Sequence, residues 1–144
     1  MIIMNKSIIF LTLFLSLFLS LNSCSNDSSP VENKKQLSTS IGMVIYSNDV
    51  ETVWNALRLA NYSKTQGDTV RIFLLGKGVE VDNLVKENKD LKEQVDTFLE
   101  KGGTILGCGT CLQSRNNNEP EVCKFSSLKD LYELIRENTI VLTF

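Results

Sequence analysis

The chain has 144 residues, a formal charge of −2 and 42% hydrophobic residues, which fits one ordinary globular domain once a leader is set aside. Its Lys and Arg residues are spread out rather than clustered, which excludes an electrostatic footprint for nucleic acid. Histidine is absent, so Ser-His and Cys-His nucleophile pairs and His-ligated metals are excluded as well.

The first element is a leader. Lys6 precedes an apolar run from Ile8 to Leu21 broken only by Thr12, Ser16 and Ser20, the layout of a secretory signal and short for a membrane-spanning helix. Leu21-Asn22-Ser23-Cys24 resembles the bacterial lipobox, in which the cysteine is lipidated and becomes the new N-terminus. Residues 1–23 are therefore expected to be a lipoprotein signal peptide, with Cys24 the lipidation site. Residues 24–39 are polar with no apolar period and read as a flexible tether. The expected location is the bacterial cell envelope, periplasmic or outer-membrane associated, with membrane attachment through acyl chains that contribute about 0.8 kcal/mol per buried methylene.

Residues 40–144 read as alternating strands and helices. Ile41–Tyr46 is a short apolar strand, and Ser47-Asn48-Asp49 offers N-cap residues with Glu51 placed for a capping box on Asn48. Val50, Val53, Trp54, Leu57 and Ala60 recur at helical spacing, and Gly67 is the stop. Thr69–Leu75 is a second buried strand closed by Gly76-Lys77-Gly78. VEVDNLVKENK reads equally as a short helix or a loop. Leu91, Val95, Phe98 and Leu99 mark an amphipathic helix ending at Gly102-Gly103, and Thr104–Gly107 is a third strand. Ser127 and Asp130 form a capping box for a last helix carrying Leu128, Leu131, Leu134 and Ile135, before a fourth strand from Ile140 to Phe144. This order predicts a three-layer α/β fold, a mostly parallel sheet with helices on both faces. Sites in such sheets form outside the carboxyl ends of the strands. Three loops belong there: Ser47-Asn48-Asp49, Gly76-Lys77-Gly78 and Cys108-Gly109-Thr110-Cys111.

The CGTC stretch is the candidate centre. A helix beginning near Thr110 and the charge of Arg115 would both favour a Cys108 thiolate, and Gly107 and Gly109 would let backbone amides approach the sulfur. Such a thiolate can take sulfane sulfur as a persulfide, or exchange disulfides with Cys111 as the resolving thiol. Structural zinc wants four ligands, and only Cys108, Cys111 and Cys123 remain after lipidation of Cys24, so no metal is expected. Haem attachment needs a histidine where Leu112 stands. A structural disulfide, within CGTC or to Cys123, stays open for an exported chain. Thioredoxin-like chemistry also stays open, although a thioredoxin would place the pair after an early strand facing a cis-proline, and here the only prolines are Pro30 and Pro120.

From Ser40 to Phe144 the chain resembles the DsrE/DsrF-like sulfur-relay family. The matching pieces are GMVIYSND, TVRIFLLGKGVEV, FLEKGGTILGCGTCLQSR and SLKDLYELIRENTIVLTF, the most specific being the glycine-cysteine run from Gly102 to Arg115. The resemblance implies a three-layer α/β domain, assembly into homo-oligomers, and a persulfide-bearing cysteine after a strand, which maps to Cys108 with Cys111 beside it. The partners it implies are a sulfur donor and a sulfur acceptor, with no cofactor. QSRNNNEPEVC is an added polar loop bearing Cys123, an extra thiol that pairs with the CGTC cysteines or lies buried.

Among supporting residues, Lys77 could draw an anionic donor, Gly76, Gly78, Gly109 and Thr110 shape the loops, and Asn48 and Asp49 read as caps. Trp54 reads as core. The expected activity is sulfane-sulfur binding or transfer, as a sulfurtransferase. A thiol-disulfide oxidoreductase and a non-catalytic binding or assembly module on the same fold are the alternatives.

Overall fold

The computed structural model describes residues 37–144. The expected signal segment, Cys24 and most of the tether lie outside those residues.

Among the described residues one sheet holds five strands, β1 (Ser40–Ile45), β2 (Thr69–Leu74), β3 (Thr104–Cys108), β4 (Lys124–Ser126) and β5 (Ile140–Thr143), in the order β4-β3-β2-β1-β5, and every pairing is parallel. Strand β1 (Ser40–Ile45) and β2 (Thr69–Leu74) occupy the centre, where both faces are covered, and both read as near-continuous apolar runs for that reason. Their register sets Met43 beside Ile72 and Val44 beside Phe73. Helix α1 (Val50–Thr65) joins them. Asp49, rather than Asn48, caps α1: its carboxylate accepts from the Thr52 N–H at 2.8 Å. Gly67, at φ +89°, ends the helical segment in the left-handed conformation.

After β2 comes a 3-10 turn at Gly76–Glu80, then α2 (Val81–Glu87) and α3 (Lys89–Glu100). The stretch that reads equally as helix or loop is thus largely helical. Its break falls at Asn88, whose side chain caps α3 by accepting from Leu91 N–H at 2.9 Å. Strand β3 (Thr104–Cys108) runs one residue further than expected and passes directly into α4 (Gly109–Gln113).

The fourth strand in chain order, β4 (Lys124–Ser126), has no counterpart in the sequence reading. At three residues it is too short to show a period, and it exists through its pairing with β3. Helix α5 (Leu128–Glu137) follows, with Asp130 accepting from the Ser127 N–H at 2.6 Å and the Ser127 hydroxyl at 2.8 Å. Strand β5 (Ile140–Thr143) closes the sheet beside β1.

The two faces are built differently. On one, Met43, Ile45, Ile72 and Leu74 pack with Val53, Leu57, Leu91, Val95 and Phe98 from α1 and α3. Each such side chain contributes about 1.5–3 kcal/mol by burial. On the other, Val44 and Phe73, with the half-buried Leu75 and Leu106, meet Leu131 and Leu134 of α5. Leu99, Leu128 and Ile135, expected as inward positions, are exposed, Leu128 by 78%. No helix among the described residues is long and apolar enough to cross a membrane.

Candidate functional site

The carboxyl ends of β1, β2 and β3 lie side by side, so the loops after them share one edge. The turn after β2 is pressed against β1: Leu75 N–H donates to the Ile45 carbonyl at 2.9 Å, and a Cβ at Gly78 would lie 2.1 Å from that oxygen. Only glycine permits this approach.

Cys108 is the last residue of β3, and Cys111 lies one turn on in α4. Both thiols are free and half-buried. Cys108 touches the core clusters of both faces, because it stands at the end of the strand that separates them. Burial pushes its thiol above the ordinary value, and the hydrogen bond to the Cys111 side chain adds to this. The backbone N–H groups of Cys111 and Thr110 pull the other way without cancelling it. The expectation of a thiolate favoured at rest is therefore corrected: removal of the sulfur from water outweighs the nearby amides.

Cys123 has a different setting. It is buried in the α1–α3 core, and a Cβ at Gly107 would lie 2.5 Å from its sulfur. The missing side chain at position 107 thus seats the Cys123 thiol rather than admitting amides to Cys108. Burial, with the nearby charge of Asp82, pushes the Cys123 thiol up to about 12. Gly109 abuts β4, where a Cβ would meet Ser126 O at 3.1 Å and the Phe125 ring at 3.2 Å.

The DsrE/DsrF-like family model matches residues 40–144. The chain belongs to the DsrE/DsrF-like family. An uncharacterized protein of Methanopyrus kandleri is 26% identical over 100 residues, 65% of this chain and 83% of that one. Two solved structures share the fold. The ychN protein of E. coli superposes with a TM-score of 0.63 at 18% identity, over 75% of this chain and 100% of that chain. A conserved protein of unknown function from Bacteroides thetaiotaomicron does so with 0.62 at 19% identity, over 74% and 95%.

Within this DsrE-like domain the polar side chains of the edge converge on a residue that the sequence reading did not single out. Glu80, at the end of the 3-10 turn, accepts from Asn48 Nδ2 at 2.8 Å and from Arg115 Nε at 2.7 Å. Arg115 is thus committed to an ion pair and to the Cys111 carbonyl, at 3.2 Å from Nη1. Its expected role of free cation beside Cys108 is corrected accordingly. Gly76 opens the same turn, and Lys77 is exposed, its charge acting on Glu80. Thr110 is exposed, with its N–H toward Cys108.

Asp82 also escaped the sequence reading. It is 4% exposed and accepts from Val122 N–H at 2.9 Å, Glu121 N–H at 3.1 Å and Asn117 Nδ2 at 2.7 Å. It pins the Asn-rich loop and so keeps Cys123 covered. The only local trace of these two acids is the alternation Val79-Glu80-Val81-Asp82. A polar hollow of about 220 Å³ beside them is lined by Glu80, Asp82, Lys86 and Arg115 among others, but not by Cys108 or Cys111. Among the described residues no group of three or more Cys, Asp or Glu is arranged to hold a metal ion.

Proposed function

We propose that this protein binds or transfers sulfane sulfur, carrying it as a persulfide on Cys108 with Cys111 as its neighbour. The observation that supports this is the pair of free, half-buried thiols one turn apart at the carboxyl edge of a parallel sheet in a DsrE-like domain. The Cys108 thiol loses its proton to solvent, and the thiolate attacks the outer sulfur of a donor R–S–SH. A new S–S bond forms on Cys108, the donor's S–S bond breaks, and its electron pair leaves with RS⁻. An acceptor thiolate attacking the outer sulfur reverses the exchange and returns Cys108. No net oxidation occurs in either half. Because burial raises the Cys108 thiol, uptake rises with pH through the alkaline range, where the thiolate fraction grows.

The placing of two free thiols one turn apart also supports a second reading, thiol-disulfide exchange. If Cys111 attacks the inner sulfur of the persulfide, hydrosulfide leaves and a Cys108–Cys111 disulfide forms, which a dithiol reductant must reopen. Attachment through a lipidated Cys24 would put either reaction in the cell envelope. The exposed apolar side chains of α5 suit association between copies of the chain.

Intact-mass spectrometry of the full chain before and after polysulfide tests the proposal. The expected result is a stable gain of sulfur in the wild type that is lost in Cys108→Ser and kept in Cys111→Ser. Equal uptake by Cys108→Ser overturns it, and a two-hydrogen loss joining Cys108 to Cys111 without retained sulfur favours the exchange reading.

A further inference from the structure

Helix α4, which carries Cys111, has five residues and cannot hold its shape alone. Its last carbonyls need partners from outside the helix. Arg115 supplies one, its Nη1 donating to the Cys111 carbonyl at 3.2 Å and to Ser114 Oγ at 3.3 Å, while Ser114 Oγ donates to the same carbonyl at 2.9 Å. Arg115 is itself held from across the edge by Glu80, whose second oxygen is fixed by Asn48.

We propose that Glu80 is a positioning residue for the thiol pair: through Arg115 it clamps the turn that carries Cys111. Its functional meaning rests on the sulfur-relay reading, but the clamp itself does not. A single carboxylate thereby links the loop after β1, the turn after β2 and the helix after β3. The Arg115 guanidinium and the Asn48 amide keep the Glu80 carboxyl below its usual range, so the clamp is charged at neutral pH. The other charges facing the pair are Lys77, which acts on Glu80 from its own turn, and Asp82, Lys86, Glu119 and Glu121 around the adjoining hollow. The Glu80 and Arg115 side chains are 29% and 31% exposed. A pair so wetted adds little to global stability, and its influence falls on local geometry.

The test is residue-resolved alkylation by iodoacetamide across pH on the reduced full chain, read by peptide mapping so that Cys24 and Cys123 are scored apart. Glu80→Gln and Arg115→Gln each break the same tie, so each is expected to speed Cys111 alkylation by about two- to five-fold at fixed pH, the range of an exposed ion pair. The double variant rises no further than either single one, because both act through one tie, with unchanged circular dichroism in all three. A general loosening of the domain would speed alkylation of the buried Cys123 as well. Unchanged Cys111 alkylation, additive effects in the double variant, or an equal rise at Cys123 overturns the proposal. Failure of the wild type to take up sulfur from polysulfide would overturn the relay reading and not the clamp, because alkylation needs no sulfur donor.

Discussion

The two faces of the sheet divide the molecule's tasks. The face under α1 and α3 closes on itself: Met43, Ile72 and Phe98 are fully buried, and even the Cys123 thiol fills a space left by Gly107. The face under α5 is covered by one helix, whose Leu128, Tyr132 and Ile135 point to solvent along with Phe125 of β4. The first face can supply most of the stability of the domain. The second keeps an apolar surface that a lone soluble domain has little reason to expose. The thiol pair stands where the two meet.

The largest effect that separates them is core truncation. Phe98→Ala should cost about 3–5 kcal/mol, while Leu134→Ala should cost toward the lower end of about 2–5 kcal/mol. Phe98 is surrounded by α1–α3 side chains, whereas α5 can settle onto Gly42, where a Cβ would already lie 2.5 Å from Leu134. Urea unfolding of both variants checks the order, and equal costs would break the comparison.

Alkali should probe the first face next. Cys123 keeps its proton to about 12 when folded, but releases it near the ordinary 9.0 when unfolded. Above 9 the unfolded chain therefore binds fewer protons, and the stability this thiol provides, full at lower pH, is lost as pH rises toward 12. Unfolding midpoints measured across that window should fall less steeply in Cys123→Ala than in wild type.

The smallest expected change in stability lies on the second face. Leu128→Asp should alter unfolding by at most about 0.5 kcal/mol, since the side chain is already in water. It should nevertheless reduce self-association in sedimentation velocity. If it instead unfolds the domain, the outer side of α5 is core and the division between faces fails.

Much of this arrangement was legible locally. The Asp49 cap of α1 lies within three residues of its partner, and so does the Ser127–Asp130 box. The Gly67 stop and the placement of CGTC at the end of β3 were likewise readable from neighbouring residues. Leu128 and Ile135 shared the apolar spacing of Leu131 and Leu134, but spacing alone does not say how wide a stripe the sheet can cover. The Arg115 side chain looked available because its partner lies 35 residues away in the chain.

The sequence by itself determined four of the five strands, the three longer helices, the parallel sheet and the strand end that carries the thiols, because caps, stops and periods act over a few residues, and it carried the family in the motif run from Gly102 to Arg115. Only the tertiary structure decided the three-residue β4, the Glu80 clamp, the Asp82 tie on the Cys123 loop and the upward shift of the Cys108 thiol. Each of these depends on groups brought together from distant parts of the chain, or on how much water the packed fold excludes, and neither is written in the spacing of neighbouring residues.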